Sequence, residues 1–523
     1  MSAPRLSSHA LASLPGTIVR PDVDRGRLTA GIGHLGLGAF ARAHLASYTE
    51  PLLKGDPAWG ICGVSLRSPA VRDALAPQNW LYIRAERDGV GEKLRVMGAH
   101  TDALVAPEDP AAVVARFAQA SIRIVTISVS EKGYHRRASD GALDEDDDAI
   151  RADLACPDRP LTVPGIIVAA LRVRREAGIP PFTVLCCDNL PDNGTSTRGI
   201  VLRFAEMLSP EFARFIADNV AFPNSMVDRI VPATTEDDKK RIAAAAGVID
   251  AWPVVCEPFS QWVIEDRFPL GRPAWDSAGA TLVADVKPYE IMKLRLLNAS
   301  HSAIAYLGQL AGLPTVAEAM REPALAQFVR SLMAEAAATL RMPAGVDLAG
   351  YRTALIERFR NPALQHRTAQ IAMDGTQKLP MRIFATALDL IGKGRPALCM
   401  ALVTAAWLRF LQQRDDTGSP LTVDDPNKDK LLQAARNADT SLSLVRRIFA
   451  LSDIVPPALA ASNVFERQVL DALIALSTSG ARSTLRMFNQ REESLEKHPE
   501  TTDHRLSADR LAAGSRAGSA GAR

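Results

Sequence analysis

The stretch that decides the fold is Leu28-Thr-Ala-Gly-Ile-Gly-His-Leu-Gly-Leu-Gly-Ala-Phe40. Residues 28–35 form a short apolar segment that predicts a β-strand, and residues 39–53 have a helical pattern. Gly36 and Gly38 fall at the junction, where glycines let the backbone bend sharply and approach a pyrophosphate, while the helix N-terminus offers unpaired N–H groups. The pattern alone leaves a second interpretation open, in which these glycines serve only a turn or close packing.

The alternation of strand and helix continues along the first half of the chain. Further strand candidates lie at residues 60–66, 122–129 and 182–187, and helical patterns lie at residues 110–118 and 163–177. Such alternation is typical of a parallel sheet with crossover helices. After about residue 285 the segments become rich in Ala, Leu, Arg and Glu, which predicts a helical second half.

Length and composition exclude several classes of protein. The chain has 523 residues, and because single cores stop growing at roughly 250–300 residues, two domains are expected. Its 61 basic and 59 acidic residues leave a formal charge of +2, which argues against a nucleic-acid partner. The longest apolar run, residues 397–408, is shorter than the roughly 20 residues of a membrane-spanning helix, so it predicts a buried helix and no membrane partner.

The N-terminus and the cysteines indicate the compartment. Because no sustained apolar stretch precedes Pro15, we expect no signal peptide. Six cysteines in a chain of this length, most of them in apolar surroundings, predict reduced thiols and a cytoplasmic protein. The acidic run at residues 144–148 is interpreted as a solvated loop or helix start rather than a cation site, because consecutive acids repel one another.

Two loops that follow predicted strands carry polar residues. No acid follows the second strand until Asp73, so Arg67 could face a 2′-phosphate, which leaves NADP open beside NAD; a solvent-facing arginine is the alternative. The strand at residues 182–187 runs into Asp188-Asn-Leu-Pro-Asp-Asn-Gly194. Loops at the carboxyl ends of parallel strands line the ligand crevice, although an Asx-type turn would also explain this cluster.

The strongest group of polar side chains lies at the start of the helical half. With about 100° per residue, His301 lies roughly 80° and Asn298 roughly 140° around the helix from Lys293, so the three share a broad arc. The rest of the helix is apolar, and since burial disfavours a charged lysine, Lys293 needs a partner. Glu290, one turn earlier, is close enough to be that partner. From these residues alone, a structural ion pair and a satisfied core histidine remain open.

Ordered matches connect these features from residue 34 to about residue 380. They comprise His34-Leu-Gly-Leu-Gly-Ala-Phe40 with Arg42-Ala-His44, Cys187-Asp-Asn-Leu-Pro-Asp-Asn-Gly194, Phe222-Pro-Asn-Ser-Met-Val-Asp-Arg-Ile-Val-Pro232, Glu257-Pro-Phe-Ser-Gln-Trp-Val-Ile-Glu-Asp266 and Gln370-Ile-Ala-Met-Asp-Gly-Thr-Gln-Lys-Leu-Pro380. With the spacing of Lys293, Asn298 and His301, the chain resembles the polyol-specific long-chain dehydrogenase family, the mannitol dehydrogenase family.

The resemblance implies an α/β fold with two domains. A Rossmann-like N-terminal domain over residues 1–284 would bind the dinucleotide at Gly36, Gly38 and Phe40. A mostly α-helical C-terminal domain over residues 285–497 would hold the substrate and most of the catalytic residues. Residues 498–523 lack apolar periodicity and are expected to be a disordered tail.

The resemblance also implies a reaction and the residues that perform it. The reaction is a metal-independent interconversion of a secondary alcohol and a ketone with a nicotinamide cofactor. Lys293 is implied as the general acid/base, and Asn189 and Asn298 as the holders of the reacting oxygen. Glu290 matches the acid that manages proton passage beside the lysine.

On the substrate side, Asp228 and His301 are implied to position the sugar chain. The stretch Ser130-Glu-Lys-Gly-Tyr134 resembles the fructuronate reductase branch, which implies reduction of D-fructuronate to D-mannonate. A uronate carries a carboxylate, and a basic side chain could neutralise it. The candidates, each of which could equally be a surface charge, are Lys132, Arg367 and Lys378.

Other functions stay open at this point. The mannitol 2-dehydrogenase branch, or a related polyol enzyme, is the alternative within the family. A dinucleotide-binding regulator without turnover is the alternative outside it. The sequence has no clustered Cys and His ligands, which argues against a zinc enzyme. The expected partner is a small sugar acid or polyol, and the expected assembly is a monomer or a weak homo-oligomer.

Overall fold

The computed structural model describes residues 3–137, 140–364 and 366–497. The tail expected at residues 498–523 lies outside the described residues. The chain divides into two compact units, Met1–Glu290 and Ile291–Arg523. The division falls inside one helix, Lys287–Lys293, which begins just after the boundary expected between residues 284 and 285.

The first unit contains all the strands found in the described part of the chain. They are β1 (Ala30–Leu35), β2 (Gly60–Ser65), β3 (Tyr82–Arg87), β4 (Glu92–Met97), β5 (His100–Val105), β6 (Ile124–Ile127), β7 (Thr183–Cys186), β8 (Ser225–Asp228), β9 (Val254–Cys256), β10 (Gln261–Glu265) and β11 (Thr281–Val283).

A five-stranded sheet forms the centre of this unit. Its strand order is β5-β2-β1-β6-β7, and every neighbouring pair runs parallel. All six residues of the central strand β1 are buried, as expected where helices cover both faces of a parallel sheet. The α/β fold with a parallel sheet is therefore confirmed. The carboxyl ends of β1, β6 and β7 lie side by side at one edge.

Two three-stranded sheets in the first unit had no counterpart in the sequence analysis. Their strand orders are β4-β3-β9 and β11-β10-β8, and each contains one antiparallel pair. The strands β3 and β4 include Arg84, Glu86 and Arg95, so no apolar run marks them. These two strands pair with each other locally, but β3 also pairs with β9, which is far away in the sequence.

The helices of the first unit include the crossover helices that the sequence predicted. They are α1 (Ala39–Ala43), α2 (Leu45–Thr49), α3 (Ala70–Leu75), α4 (Pro110–Ala118), α5 (Asp148–Ala155), α6 (Val163–Glu176), α7 (Asn193–Leu208), α8 (Pro210–Asn219), α9 (Glu236–Ala246) and α10 (Lys287–Lys293), the last of which crosses the division.

The prediction of a single helix over residues 39–53 is wrong. The structure breaks it at His44 into α1 and α2, which a short 3₁₀ turn at Glu50–Leu52 follows. The imidazole of His44 is buried between Phe40 and Tyr48, and its Nε2 lies 3.1 Å from the carbonyl oxygen of Gln261. The residue at the break therefore makes a contact with a part of the chain that is distant in the sequence.

The described part of the second unit is helical, as expected. Its helices are α11 (Ala299–Leu310), α12 (Val316–Ala319), α13 (Pro323–Ala337), α14 (Leu348–Arg360), α15 (Thr368–Ile371), α16 (Gly375–Leu379), α17 (Ala385–Gly392), α18 (Leu398–Phe410), α19 (Lys428–Arg436), α20 (Ser441–Phe449), α21 (Pro457–Ala460) and α22 (Asn463–Lys497). Two π-helical turns, Leu294–Asn298 and Pro380–Phe384, were not predicted.

Several expectations from composition can be compared with the structure. The apolar run at residues 397–408 forms α18, which is almost entirely buried. None of the described helices combines the length and apolar character needed to cross a membrane. All six cysteines, each within the described ranges, are free thiols. The acidic run starts a helix, since Asp147 caps α5.

Candidate active site

In the turn after β1, the backbone at Gly36 has a conformation that only glycine adopts without strain. Its φ is +95°, and a Cβ at this position would lie 2.1 Å from the carbonyl oxygen of Ser128. Gly38 differs, because its backbone is extended and the nearest atom to a Cβ would be 3.7 Å away. Gly36 therefore makes the turn, and Gly38 leaves open space at the carboxyl edge of the sheet.

This difference predicts unequal effects of two alanine substitutions. We expect Gly36→Ala to lower the free energy of unfolding by about 2–5 kcal/mol, because it adds both backbone strain and a steric clash. Gly38→Ala, the matched control, should change it by less than about 0.5 kcal/mol. Denaturant unfolding of both variants measures the effect. Equal stability of the two variants would contradict the role of Gly36.

His34 lies near the end of β1, just before this turn, and sequence reasoning gave it no role of its own. Its Nδ1 lies 2.8 Å from Thr126 Oγ1, and its Nε2 lies 3.0 Å from the carbonyl oxygen of Gly36. Burial lowers the pKa of His34 to about 4, so the imidazole is neutral at physiological pH. A polar residue inside an otherwise apolar strand was the available signal. The side chain ties the glycine turn to β6.

The two other residues expected at the cofactor, Phe40 and Arg67, both follow this turn in the sequence. Phe40 belongs to α1, and its ring stacks on His44 with 4.8 Å between the centroids. Arg67 is exposed two residues after the end of β2, the neighbour of β1. Arg67 thus lies near the carboxyl edge of the five-stranded sheet. A contact between Arg67 and the cofactor, NAD or NADP, stays a prediction.

The loop after β7 is fixed by the carboxylate of Asp188. One oxygen of this group, Oδ2, accepts hydrogen bonds from the backbone N–H of Val129 at 2.8 Å and from the hydroxyl of Tyr134 at 2.5 Å. Both donors belong to the segment that follows β6, which also carries the exposed Lys132. Asn189 comes directly after Asp188 and is exposed. The Asp188 carboxylate therefore joins the loop after β7, which carries Asn189, to the segment after β6, which carries Lys132.

The buried carboxyl of Asp188 predicts a pH effect on stability. Burial raises the pKa of Asp188 to about 7, whereas an unfolded aspartic acid titrates near 4. The unfolded chain therefore loses this proton at lower pH than the folded protein, and stability falls as pH rises from about 4 to about 7. Relative to Asp188→Asn, which keeps both hydrogen-bond acceptor contacts, the natural protein should lose about 2–4 kcal/mol over this range. A constant difference between the two unfolding curves across these pH values would contradict the prediction.

The strand β8 brings Asp228 into the same unit as a buried side chain at its last position. The start of β8 is anchored to the end of β7 by Asn193. The side-chain amide of Asn193 donates to the carbonyl oxygens of Cys186 and Asp188, and its Oδ1 accepts the backbone N–H of Ser225 at 2.8 Å. The asparagine at position 193 is thus structural, and Asn189 lies in the exposed loop that follows β7.

Glu290 has partners in the first unit that the sequence analysis did not consider. Its carboxylate accepts the backbone N–H of Asp192 at 3.2 Å and lies 3.6 Å from the ammonium of Lys287. Lys287 makes a shorter ion pair of 2.6 Å with Asp192. Burial, and then the nearby charge of Asp192, raises the pKa of Glu290 above its usual value. A carboxyl group with a raised pKa is better suited to exchange protons at physiological pH than an ordinary glutamate is.

In the second unit, Lys293, Asn298 and His301 follow one another along an irregular helix. Lys293 ends α10, the π turn at Leu294–Asn298 follows, and His301 lies in the first turn of α11. Both Lys293 and Asn298 are buried, each with 7% of its surface exposed. The wider hydrogen-bonding step of a π turn replaces the regular spacing that the sequence analysis assumed. Such turns occur frequently at functional sites.

His301 lies among basic groups. Its ring is 4.9 Å from that of Phe359 and 5.2 Å from that of His366, measured between centroids. Burial, followed by the charges of His366, Arg358, Arg382 and Lys293, lowers the pKa of His301 well below its usual value. Its Nε2 is enclosed and has no hydrogen-bond partner among the described residues. Sequence reasoning did not identify Arg358 or Arg382.

The three basic residues expected to meet a substrate carboxylate differ in their surroundings. Lys132 and Arg367 are exposed, and Arg367 directly precedes α15. Lys378 is half-buried, and its ammonium donates to the carbonyl oxygen of Met373 at 2.6 Å and lies 3.4 Å from Asp374. The ammonium of Lys378 therefore already has a carboxylate partner within its own helical segment.

Two family models together match most of the chain. One describes a mannitol dehydrogenase Rossmann domain and matches residues 30–277, and the other describes a mannitol dehydrogenase C-terminal domain and matches residues 285–474. Their order agrees with a parallel-sheet unit followed by a helical one.

Individual relatives resemble the chain over nearly its whole length. The D-mannonate oxidoreductase of Escherichia coli is 43% identical over 474 residues, which cover 89% of this chain and 97% of the relative. The mannitol 2-dehydrogenase of Phaeosphaeria nodorum is 39% identical, covering 92% and 85% respectively. The solved mannitol 2-dehydrogenase of Pseudomonas fluorescens, a ternary complex with NAD and D-mannitol, is 37% identical with a TM-score of 0.79, covering 93% and 99%. The chain belongs to the mannitol dehydrogenase family, as an oxidoreductase that acts on a CH–OH group.

Proposed function

We propose that this enzyme interconverts D-fructuronate and D-mannonate with NAD(H). The observation that carries the proposal is the burial of Lys293 and Asn298 on one irregular helix, where an ammonium and an amide gain strength from a low dielectric. The D-mannonate oxidoreductase among the relatives and the Lys132 segment support the uronate as substrate. NAD is supported by the glycine turn after β1 and by the relative that binds NAD.

The proposed mechanism assigns each step to a side chain. A bound nicotinamide cofactor, held at the glycine turn after β1, would supply the hydride for reduction of the ketone carbon and would take up hydride from the alcohol carbon in the reverse direction. During reduction, negative charge grows on the substrate oxygen, and the side-chain amides of Asn189 and Asn298 stabilise it. Lys293 transfers a proton from its ammonium to that oxygen, which completes the alcohol. Glu290 then passes a proton towards Lys293.

The substrate assignment is tested by assaying the purified full chain with fructuronate and with fructose, each with NADH and NADPH. We expect kcat/KM for fructuronate to exceed that for fructose by at least about 100-fold, because only the uronate offers a charged group to the basic side chains. We also expect NADH to be preferred. Activity confined to fructose or mannitol would refute the uronate assignment.

The second candidate is a mannitol 2-dehydrogenase or related polyol enzyme. It is favoured by the solved relative that holds D-mannitol and by the mannitol 2-dehydrogenase relative at 39% identity. The same assay separates the two, since this candidate oxidises mannitol readily and gains nothing from a substrate carboxylate. Cofactor binding without turnover of any polyol or uronate would instead indicate a regulator.

Catalysis by Lys293 predicts an enzyme that does not depend on a metal ion. Within the described ranges, no three His, Cys, Asp or Glu side chains are grouped so that they could hold a metal. We expect kcat to change by less than about twofold after exhaustive chelation and dialysis, because the proton donor is a side chain. Loss of activity that added zinc or magnesium restores would contradict the proposed mechanism.

A further inference from the structure

Arg382 has an environment that neither the family resemblance nor the sequence singled out. It lies in the π turn Pro380–Phe384 of the second unit. Its Nη1 donates to the carbonyl oxygen of Asn298 at 3.4 Å and to the hydroxyl of Ser302 at 3.2 Å. These two contacts place the guanidinium beside the segment that carries the proposed oxyanion donor and His301.

The charge of Arg382 is not balanced by an acid. Among the residues that the structure describes, no carboxylate lies within 4.0 Å of its guanidinium, whereas Arg295 pairs with Asp389 at 2.6 Å and Lys378 with Asp374 at 3.4 Å. Burial lowers the pKa of Arg382 to about 10, so the group remains charged at neutral pH. An enclosed charge without a counter-ion is costly, which indicates that an anion completes this site.

Two imidazoles next to this segment also have unused hydrogen-bonding atoms. His301 Nε2 and His366 Nδ1 are enclosed and have no hydrogen-bond partner among the described residues. The two rings lie 5.2 Å apart between centroids, and His301 is under the influence of the Arg382 charge. His301, His366 and Arg382 are each only partly buried as whole residues, so this cluster borders on solvent.

We propose that Arg382, together with His301 and His366, forms a binding site for the carboxylate of a sugar-acid substrate. The inference rests on the proposed function and makes it more specific, because it places uronate recognition at Arg382 rather than at Lys378, which already has a carboxylate partner. A guanidinium whose Nη1 is already engaged keeps Nε and Nη2 for a planar anion with two acceptor oxygens. The imidazole nitrogens supply further polar contacts.

The test compares Arg382→Met, Arg382→Lys and the natural enzyme on fructuronate and fructose. The control is Arg395→Met, which changes an exposed arginine of the same unit. We expect Arg382→Met to lower kcat/KM for fructuronate roughly 100-fold, mainly through KM, and to change kcat/KM for fructose less than about threefold. Arg382→Lys should recover part of the loss, because it keeps the charge but not the fork of donors.

A second readout does not depend on turnover. Calorimetric binding of mannonate to the enzyme loaded with NADH should weaken roughly 100-fold in Arg382→Met, while binding of mannitol stays unchanged. If Arg382→Met does not fold, the activities of His366→Phe and Arg382→Lys on fructuronate and on fructose are compared instead. Each should reduce the preference for fructuronate over fructose.

Different failures have different meanings. If the natural enzyme reduces no fructuronate, the proposed function is refuted, and this inference with it. If the natural enzyme reduces fructuronate but Arg382→Met loses activity equally on both substrates, only the carboxylate site is overturned, and Arg382 acts through the carbonyl group of Asn298. Faster turnover of fructose 6-phosphate than of fructuronate would also overturn it, because the site would then serve a phosphate.

Discussion

Replacing Lys293 by alanine is expected to reduce kcat by about 10³–10⁴-fold, because a positioned general acid/base contributes on that scale. The side chain is buried, and a water molecule that entered the space it leaves would be a much weaker acid than an ammonium group. The affinity for NADH should change little, since the glycine turn proposed to bind the cofactor belongs to β1 in the first unit. Steady-state kinetics and a fluorescence titration with NADH measure the two effects.

The matched control for this substitution is Lys393→Ala, which removes an exposed lysine of the same unit. It should leave kcat within about twofold, as surface substitutions usually do. Partial rescue of Lys293→Ala by added alkylamines would support proton transfer by the missing group. Unchanged turnover in Lys293→Ala would show that another group donates the proton.

Replacing Asn298 by alanine is the second substitution with a large expected effect. Loss of one donor to a developing oxyanion typically reduces kcat by about 10²–10³-fold, or about 2.7–4 kcal/mol. KM for fructuronate should change much less, because the hydrogen bond strengthens mainly as charge forms on the oxygen. Steady-state kinetics with saturating cofactor separate the two parameters.

The control for Asn298→Ala is Asn437→Ala, an exposed asparagine at the end of α19. Both variants should unfold cooperatively in denaturant, and the control should keep its kcat. A rise in KM with unchanged kcat in Asn298→Ala would contradict oxyanion stabilisation. It would show that the amide contributes equally to binding of substrate and transition state.

The surroundings of Arg382 show that a motif match does not reveal which charged side chains have partners in the folded protein. The sequence presents several basic residues near Lys378, and nothing in their spacing distinguishes one from another. The structure separates them by their partners, because Lys378 lies beside Asp374 and Arg382 has no described acid within reach. Charge balance of this kind depends on which side chains meet after folding. Local patterns in the sequence do not contain that information.

The sequence by itself determined the parallel sheet around β1, the glycine turn at Gly36, the helical second half and the family. These features follow from local properties, namely apolar periodicity, the conformational freedom of glycine and ordered motifs, which persist whatever the distant contacts are. Such properties also located the buried helix α18 from its apolar run.

Only the tertiary structure decided the remaining features. These are the break at His44, the π turns around Asn298 and Arg382, the pairing of Glu290 with Asp192 and Lys287, and the two small sheets. Each depends on a contact between residues that are distant in the sequence or on a departure from regular helical geometry. Burial and charge compensation, which set the chemistry of the proposed site, arise from those contacts.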